Sequence, residues 1–167
     1  MSSPHVRAEI SRQPEAWARA ASMTAEVADV LPRPGESVAV IGCGTSWFMA
    51  QADAALRERR GKGLTDAFAA SELPGDRTYD RILAISRSGT TTEVVRAIES
   101  SRSPVVAITA VAGTPVQAAA SDAVVLDFAD ELSVVQTVFA TTVLALLRSS
   151  LGERLEPVVE QARRAIE

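Results

Sequence analysis

The 167-residue sequence contains few of the residue types that carry metal, redox and disulfide chemistry, with one cysteine, Cys43, and one histidine, His5. A single cysteine cannot form an internal disulfide, and a zinc site cannot be built from thiolates. A metal site would have to consist of carboxylates alone, and we expect neither a metal nor an organic cofactor. Lysine is equally scarce, since Lys62 is the only one. The sequence also lacks a run of about 20 apolar residues, the length that a membrane-spanning helix requires.

Positive charge is not in excess either. The 17 lysine and arginine residues are outnumbered by 21 aspartate and glutamate residues, for a net charge of −4, so a general attraction to nucleic acid is not expected. The densest basic run, residues 57–60, is typical of the solvated end of a helix. Hydrophobic residues make up 47% of the chain, which supports a real core and argues against disorder. Because the N-terminus lacks a signal-peptide core, we expect a soluble cytoplasmic protein.

Short apolar segments alternate with helical patterns along most of the chain. Residues 1–35 are expected to form a helical segment that packs on the rest, with Pro14 in the first turn of its main helix. The alternation indicates a parallel sheet covered on both faces. We therefore predict one domain, residues 1–167, with an α/β fold: a three-layer αβα sandwich around a five-stranded parallel sheet of flavodoxin-like, doubly wound order. The predicted strands are 37–41, 64–70, 81–85, 104–109 and 122–126, and the predicted helices are 45–60, 91–101, 114–120, 131–148 and 155–166.

The predicted helix 131–148 is apolar nearly all round. A helix of this kind is buried on more than one side. In so small a domain the pattern predicts a subunit or domain interface, and the alternative is a central core helix of a monomer.

Two loops that follow predicted strands are rich in hydroxyl groups. Residues 42–46 read Gly-Cys-Gly-Thr-Ser and residues 86–91 read Ser-Arg-Ser-Gly-Thr-Thr. Each leads into a predicted helix, where backbone N–H groups and the helix dipole favour an anion, most often phosphate. Capping needs one hydroxyl, whereas the second loop offers four and an arginine, so we predict that it binds phosphate. Two such loops within reach of one another suggest a phosphorylated polyol.

Nucleotide-binding motifs are incomplete. The first loop begins like the dinucleotide fingerprint, but Trp47 stands where a third small residue is needed, and no acidic residue ends the second strand. The segment 61–63 lacks the upstream glycine and the following hydroxyl of a P-loop. Taken alone, the first loop is equally compatible with a tight turn that binds nothing.

Glu131 follows the last predicted strand, at the edge of the sheet where both loops lie. That position is compatible with a general base. It is also compatible with a carboxylate that stabilises a helix N-terminus, with Asp130 as the N-cap.

Three ordered motifs together resemble the sugar isomerase (SIS) domain. The similarity is greatest to the N-terminal copy of tandem enzymes related to the isomerase half of glucosamine-6-phosphate synthase and to the galactosamine/tagatose-6-phosphate ketose-aldose isomerases. The matching segments are 9–17 (Glu-Ile-Ser-Arg-Gln-Pro-Glu-Ala-Trp), the loops 42–46 and 86–89, and 131–137 (Glu-Leu-Ser-Val-Val-Gln-Thr).

The resemblance implies a set of site residues and a reaction. It implies that Glu131 moves a proton between C1 and C2 of a hexose or amino-hexose phosphate through an enediolate, without metal or cofactor. The phosphate-binding positions are Ser86, Arg87, Ser88 and Thr91, and the sugar-contacting positions are Gly44, Thr45 and Ser46.

The sequence departs from the synthase-like enzymes at the residues that open the sugar ring. Those enzymes use a histidine and a lysine near the C-terminus of a second SIS copy, whereas here the only histidine is His5 and no lysine follows Lys62. A homodimer or a partner SIS domain would supply the second half. Three functions stay open: an aldose–ketose isomerase, a non-catalytic phosphosugar-binding module, and a deaminase or deglycase acting on a sugar-amine phosphate.

Overall fold

A five-stranded parallel sheet forms the centre of the structure, a computed structural model that describes residues 4–166. Residues 1–3 of the predicted N-terminal segment and residue 167 lie outside the described residues. The helices are α1 (Pro4–Met23), α2 (Thr45–Arg59), α3 (Thr92–Ser100), α4 (Pro115–Ala119), α5 (Val138–Ser150) and α6 (Glu156–Ile166). The strands are β1 (Val38–Gly42), β2 (Thr65–Ala69), β3 (Arg81–Ile85), β4 (Val105–Thr109) and β5 (Asp122–Val125).

The strand order is β2-β1-β3-β4-β5, and every neighbouring pair is parallel. This is the flavodoxin-like, doubly wound order, so the predicted fold class is confirmed. All residues of β1 and β4 are buried, which explains why these strands read as continuous apolar runs rather than as alternating patterns.

Hydrophobic cores lie on both faces of the sheet. Alternate residues of one strand point to opposite faces, so Val38 and Val40 join the core with α1, α2 and α5. Ala39 and Ile41 join the second core, to which α3 and α4 contribute Val94, Ala97, Ile98 and Val116.

The prediction that Pro14 starts the main N-terminal helix is wrong, because α1 runs from residue 4 through Pro14 without a break. A proline inside a helix costs roughly 3 kcal/mol, since it removes a hydrogen bond and its ring meets the preceding turn. Packing opposes that cost: Ala16 and Ala20 are buried, and the Trp17 indole N–H donates to Thr141 Oγ1 of α5 at 2.9 Å.

The predicted helix 131–148 begins seven residues too early. Helix α5 starts at Val138, and residues 131–137 form an irregular loop. The Asp130 carboxylate accepts the N–H of Glu131 at 2.9 Å and does not cap a helix. Helix α5 packs against α1 and α2, so other helices of this chain cover its apolar sides. This agrees with the second interpretation of the sequence, a central core helix. No helix within residues 4–166 is long and apolar enough to cross a membrane.

The expectation of a solvated basic run at 57–60 is also wrong for Arg57, which is 3% exposed. Its guanidinium donates to the carbonyl oxygens of Pro32, Arg33 and Lys62 and to Thr65 Oγ1. Its burial is tolerated because all three guanidinium nitrogens find oxygen acceptors in two connecting loops and at the start of β2.

Candidate functional site

The two hydroxyl-rich loops lie side by side at the carboxyl edge of the sheet, the edge where all five strands end. Gly42 of β1 is in register with Ile85 of β3, and neighbouring strands are about 4.8 Å apart. The strand order reverses between β1 and β3. In open parallel sheets, ligands bind in the crevice at such a switch point.

Three carbonyl groups of the 86–91 loop are held by the protein itself. Ser86 O accepts the N–H of Gly89 at 3.2 Å, Arg87 O accepts that of Ala110 at 3.0 Å, and Gly89 O accepts that of Val116 at 2.9 Å. A carbonyl oxygen repels an anion, and these three point at protein N–H groups instead. The loop therefore offers mainly donors to a ligand.

Helix α3 begins directly after this loop with an uncapped N-terminus. Thr91 is its N-cap residue, and among the described residues no side chain caps the helix. The N–H groups of its first turn have no intrahelical acceptor, so they are available to an anion. Ser86 Oγ lies 3.1 Å from Thr91 Oγ1. Ser88 Oγ accepts both the N–H and the hydroxyl of Thr90, which leaves the Ser88 proton to donate outward.

Gly89 makes this loop possible. Its φ is +64°, and a Cβ there would overlap the hydroxyl oxygen of Thr114. Only glycine combines a positive φ with so close an approach.

The first loop forms a tight turn into α2. A Cβ on Gly42 would lie 2.7 Å from the main-chain carbon of Ser46, so glycine at the strand end lets the helix approach closely. Gly44 is the N-cap residue of α2 with φ 55°, and no described side chain caps this helix either. Thr45 is half-buried and Ser46 is buried in the first turn.

The residues around these loops provide hydrogen-bond donors rather than metal ligands or a nucleophile. Burial raises the pKa of the Cys43 thiol, which disfavours a thiolate. His5 is exposed on α1. Within residues 4–166, no group of three or more histidine, cysteine, aspartate or glutamate side chains is placed to hold a metal ion.

Glu131 is 3% exposed, and its carboxylate caps α5. Oε2 accepts the N–H of Thr137 at 2.7 Å, the hydroxyl of Thr137 at 3.1 Å and the N–H of Val138 at 2.9 Å. Oε1 accepts the N–H of Phe139 at 2.9 Å. The sequence suggested that Glu131 stabilises a helix N-terminus. It does so, but the helix begins at Val138, seven residues after Glu131. Oε1 has one lone pair left, and the role of Glu131 as a base stays a prediction.

Arg87 connects the 86–91 loop to Glu131. Its Nη1 donates to Asp130 Oδ1 at 3.1 Å and to the Glu131 carbonyl oxygen at 2.5 Å. Nη1 is thus engaged within the protein, whereas Nε is buried without a hydrogen-bond partner among the described residues. The structure brings the predicted residues 44–46 and 86–91 to one edge and joins Glu131 to them through this side chain.

Three side chains of α1 also contact the segment around Glu131, and residue-by-residue reasoning did not assign them a role. Glu9, Arg12 and Gln13 hydrogen-bond to main-chain groups of residues 130–137. The signal in the sequence was the motif 9–17, in which all three lie.

A cavity of about 540 Å³ lies elsewhere, at the end of α5 remote from Glu131, between α1 and α6. Its charged residues are of both signs, with Arg163 ion-paired to Glu15 and Glu160.

No protein-family model matches the chain, and no curated protein matches it. Solved structures do. A candidate phosphosugar isomerase from Silicibacter pomeroyi superposes with a TM-score of 0.74 and 23% identity, over 96% of this chain and 54% of that one. The tagatose-6-phosphate ketose/aldose isomerase from Escherichia coli superposes with a TM-score of 0.73 and 18% identity, over 95% and 50%.

A third structure, the NanR protein of Vibrio vulnificus complexed with ManNAc-6P, gives a TM-score of 0.66 and 21% identity, over 96% of this chain and 65% of that one. The chain has the fold of a SIS domain. It spans about half the length of the first two SIS structures. The superpositions show a common fold, and identity of 18–23% shows no more than that.

Proposed function

We propose that the chain is a phosphosugar-binding SIS domain whose ligand is a hexose or amino-hexose phosphate. The observation that carries the proposal is the uncapped N-terminus of α3 beside a loop of hydroxyl groups, at the switch point of the sheet. Helix N-termini with free N–H groups bind phosphate. The NanR structure, which has the same fold, was solved with ManNAc-6P bound, and this supports a sugar phosphate as the class of ligand.

In the proposed complex, the phosphate accepts hydrogen bonds from the first turn of α3 and from the Ser88 and Thr91 hydroxyls. Ser86 lies behind them and orients the Thr91 hydroxyl. The Arg87 side chain is tied to Asp130 and Glu131, so we assign its contribution to the main chain. The sugar hydroxyls meet the neighbouring loop at Gly44, Thr45 and Ser46.

Binding is tested with Ser88→Ala and Thr91→Val, each of which removes one hydroxyl. A hydrogen bond to a charged group contributes roughly 1.5–3 kcal/mol, so the affinity for tagatose 6-phosphate should fall about tenfold to a hundredfold. Ser100→Ala is the matched control, because Ser100 is at the opposite end of α3. Calorimetry that finds equal affinities for all four proteins would contradict the site.

The proposed reaction is aldose–ketose isomerisation with Glu131 as the base. The carboxylate takes a proton from C1 of the ketose as the C–H bond breaks, and an enediolate forms. The protonated carboxylate, whose proton exchanges in part with solvent, then delivers a proton to C2 while the proton of O1 passes to O2, and this gives the aldose. Phosphate binding supplies remote energy that orients C1 and C2 against the base.

The second candidate is a binding module without catalysis. Four hydrogen bonds from Thr137 and the first two residues of α5 already engage the Glu131 carboxylate, and this capping role needs no chemistry.

Proton exchange separates the two candidates. In D₂O, NMR follows loss of the C1 hydrogen of tagatose 6-phosphate, and the isomerase incorporates deuterium while the module binds without exchange. Glu131→Gln should abolish exchange. The substitution also destabilises the fold by roughly 1–3 kcal/mol, because the amide nitrogen of the new glutamine faces backbone N–H donors. Thr137→Val is the control for lost stability, since it removes one donor and keeps the carboxylate. Ammonia release from glucosamine 6-phosphate would identify a deaminase instead.

We further propose that residues 1–167 form one SIS domain that works with a second, either in a homodimer or in a partner SIS domain. The chain spans about half of two related structures. Its exposed apolar side chains Leu132, Val134 and Val135 lie in the loop after Glu131, where a second domain would complete the site and supply the ring-opening groups.

A further inference from the structure

We infer that helix α1 positions the proposed base, with Gln13 and Glu9 acting as positioning residues for Glu131. This inference rests on the proposed function, because positioning matters for activity only if Glu131 meets the ligand. Residues 9, 12 and 13 have the i, i+3, i+4 spacing of one helix face. Side chains on that face form hydrogen bonds to main-chain groups at three places: just before Glu131, just after it, and at the N-terminus of α5.

Gln13 reaches the carboxylate of Glu131 through a single peptide group. Its Nε2 donates to the carbonyl oxygen of Thr137 at 2.7 Å. The N–H of the same peptide unit belongs to Val138 and donates to Glu131 Oε2 at 2.9 Å. The peptide group is planar and rigid, so both bonds act on its position together, with the Thr141 hydroxyl that donates to the same carbonyl oxygen at 2.7 Å. Hydrogen bonds in such a chain also polarise one another.

The peptide group that follows Glu131 is held at both ends. Its carbonyl oxygen accepts from Arg87. Its N–H, that of Leu132, donates to Glu9 Oε1 at 2.7 Å, and the N–H of Ser133 donates to the same oxygen at 3.1 Å.

The peptide group that precedes Glu131 is held in the same way. Its carbonyl oxygen, that of Asp130, accepts from Arg12 Nη2 at 2.8 Å. Its N–H, that of Glu131, donates to Asp130 Oδ1 at 2.9 Å. Both peptide groups flanking the proposed base therefore have their donor and acceptor engaged.

These polar contacts hold a loop that has little apolar burial to hold it. Leu132, Val134 and Val135 are 79%, 97% and 69% exposed. Hydrophobic packing therefore contributes little to the conformation of residues 132–135, and contacts from α1 take its place. Displacement of a catalytic group by about 1 Å can cost roughly a hundredfold in rate.

The decisive variant is Gln13→Glu, which keeps the size of the side chain and replaces the donor with acceptors. The affinity for tagatose 6-phosphate should stay within about twofold, because the 86–91 loop is untouched. The rate of C1–H exchange in D₂O at saturating ligand should fall roughly 10–100-fold. Amide hydrogen exchange at residues 137–139 should become faster. Gln161→Glu, the same change at an exposed position of α6, should match the wild type.

Glu9 provides the rescue test. Glu9→Ala should behave like Gln13→Glu, whereas Glu9→Gln keeps the Oε1 acceptor and should retain most of the activity. Oε2 of Glu9 has no hydrogen-bond partner among the described residues, so an amide nitrogen in its place breaks no bond.

The outcomes are distinguishable. Wild-type protein that binds tagatose 6-phosphate and never exchanges its C1 hydrogen defeats the proposed isomerase, and the inference falls with it. Wild-type protein that exchanges, with Gln13→Glu equally fast, overturns the inference alone. Faster amide exchange at 137–139 with unchanged substrate exchange also overturns it, because α1 would then be a structural support only.

Discussion

Asp53 on α2 should make the protein less stable as the pH rises from about 4 to about 6. The residue is 1% exposed, and its Oδ2 has no hydrogen-bond partner among the described residues. Burial raises the pKa of Asp53 from 3.8 to about 6, partly offset by the positive charge of Arg57. The folded protein thus holds an ionised carboxylate that water would solvate better.

The direction of the pH dependence of stability follows from the direction of the pKa shift. A carboxyl group whose pKa is higher in the folded state favours folding when protonated, so its cost is absent below about pH 4 and complete above about pH 7. A rise from 3.8 to about 6 corresponds to about 3 kcal/mol. Asp80 acts in the opposite direction, because a hydrogen bond from the Ser37 hydroxyl lowers its pKa, and its contribution is lost as the pH falls.

The difference between wild type and Asp53→Asn isolates this contribution. Urea unfolding followed by circular dichroism should show the variant more stable by about 1–3 kcal/mol at pH 8, with the advantage vanishing near pH 4. In a chain of this length, each kcal/mol changes the melting temperature by about 2–4 °C. Asp29→Asn, at an exposed position, is the control. A difference that is the same at pH 4.5 and pH 8 would refute the argument.

Two further predictions concern the loops at the carboxyl edge. Gly89→Ala should lower the free energy of unfolding by at least about 1 kcal/mol and remove phosphosugar binding, because its Cβ would overlap Thr114 Oγ1. Wild-type stability in urea denaturation together with wild-type affinity in calorimetry would contradict this. The chain should be a dimer by light scattering at about 100 µM, a concentration that fills a micromolar interface. Val134→Ser should weaken the dimer, since Val134 is 97% exposed, whereas a monomeric wild type would defeat the prediction.

The sheet could be predicted from the sequence because local and tertiary signals agree there. The strand predicted at 81–85 matches β3, and the other four agree within a residue or two. The three central strands, β1, β3 and β4, are short apolar runs that are buried almost throughout, and glycine or hydroxyl residues end β1 and β3. The two loops at the switch point follow from strand order alone.

The errors occur where a distant contact overrides the local pattern. Pro14 looked like a helix start, and α1 continues through it because α5 packs against it. The apolar pattern of 131–137 continued into α5, but the Glu131 carboxylate binds the N–H groups at 137–139 and sets the helix start there. The burial of Arg57 depends on carbonyl groups in two loops, which no local periodicity reports.

The cap formed by Glu131 has a consequence for sorting SIS-like proteins into enzymes and sensors. In this loop geometry the carboxylate would be retained by selection for a folded α5 even in a lineage that had given up turnover, since removing it leaves backbone donors unsatisfied. A glutamate at this position is therefore a weak diagnostic of catalysis. The side-chain amide at position 13 is more informative. A lineage that needs Glu131 only as a helix cap has less use for a second side chain that orients the carboxylate.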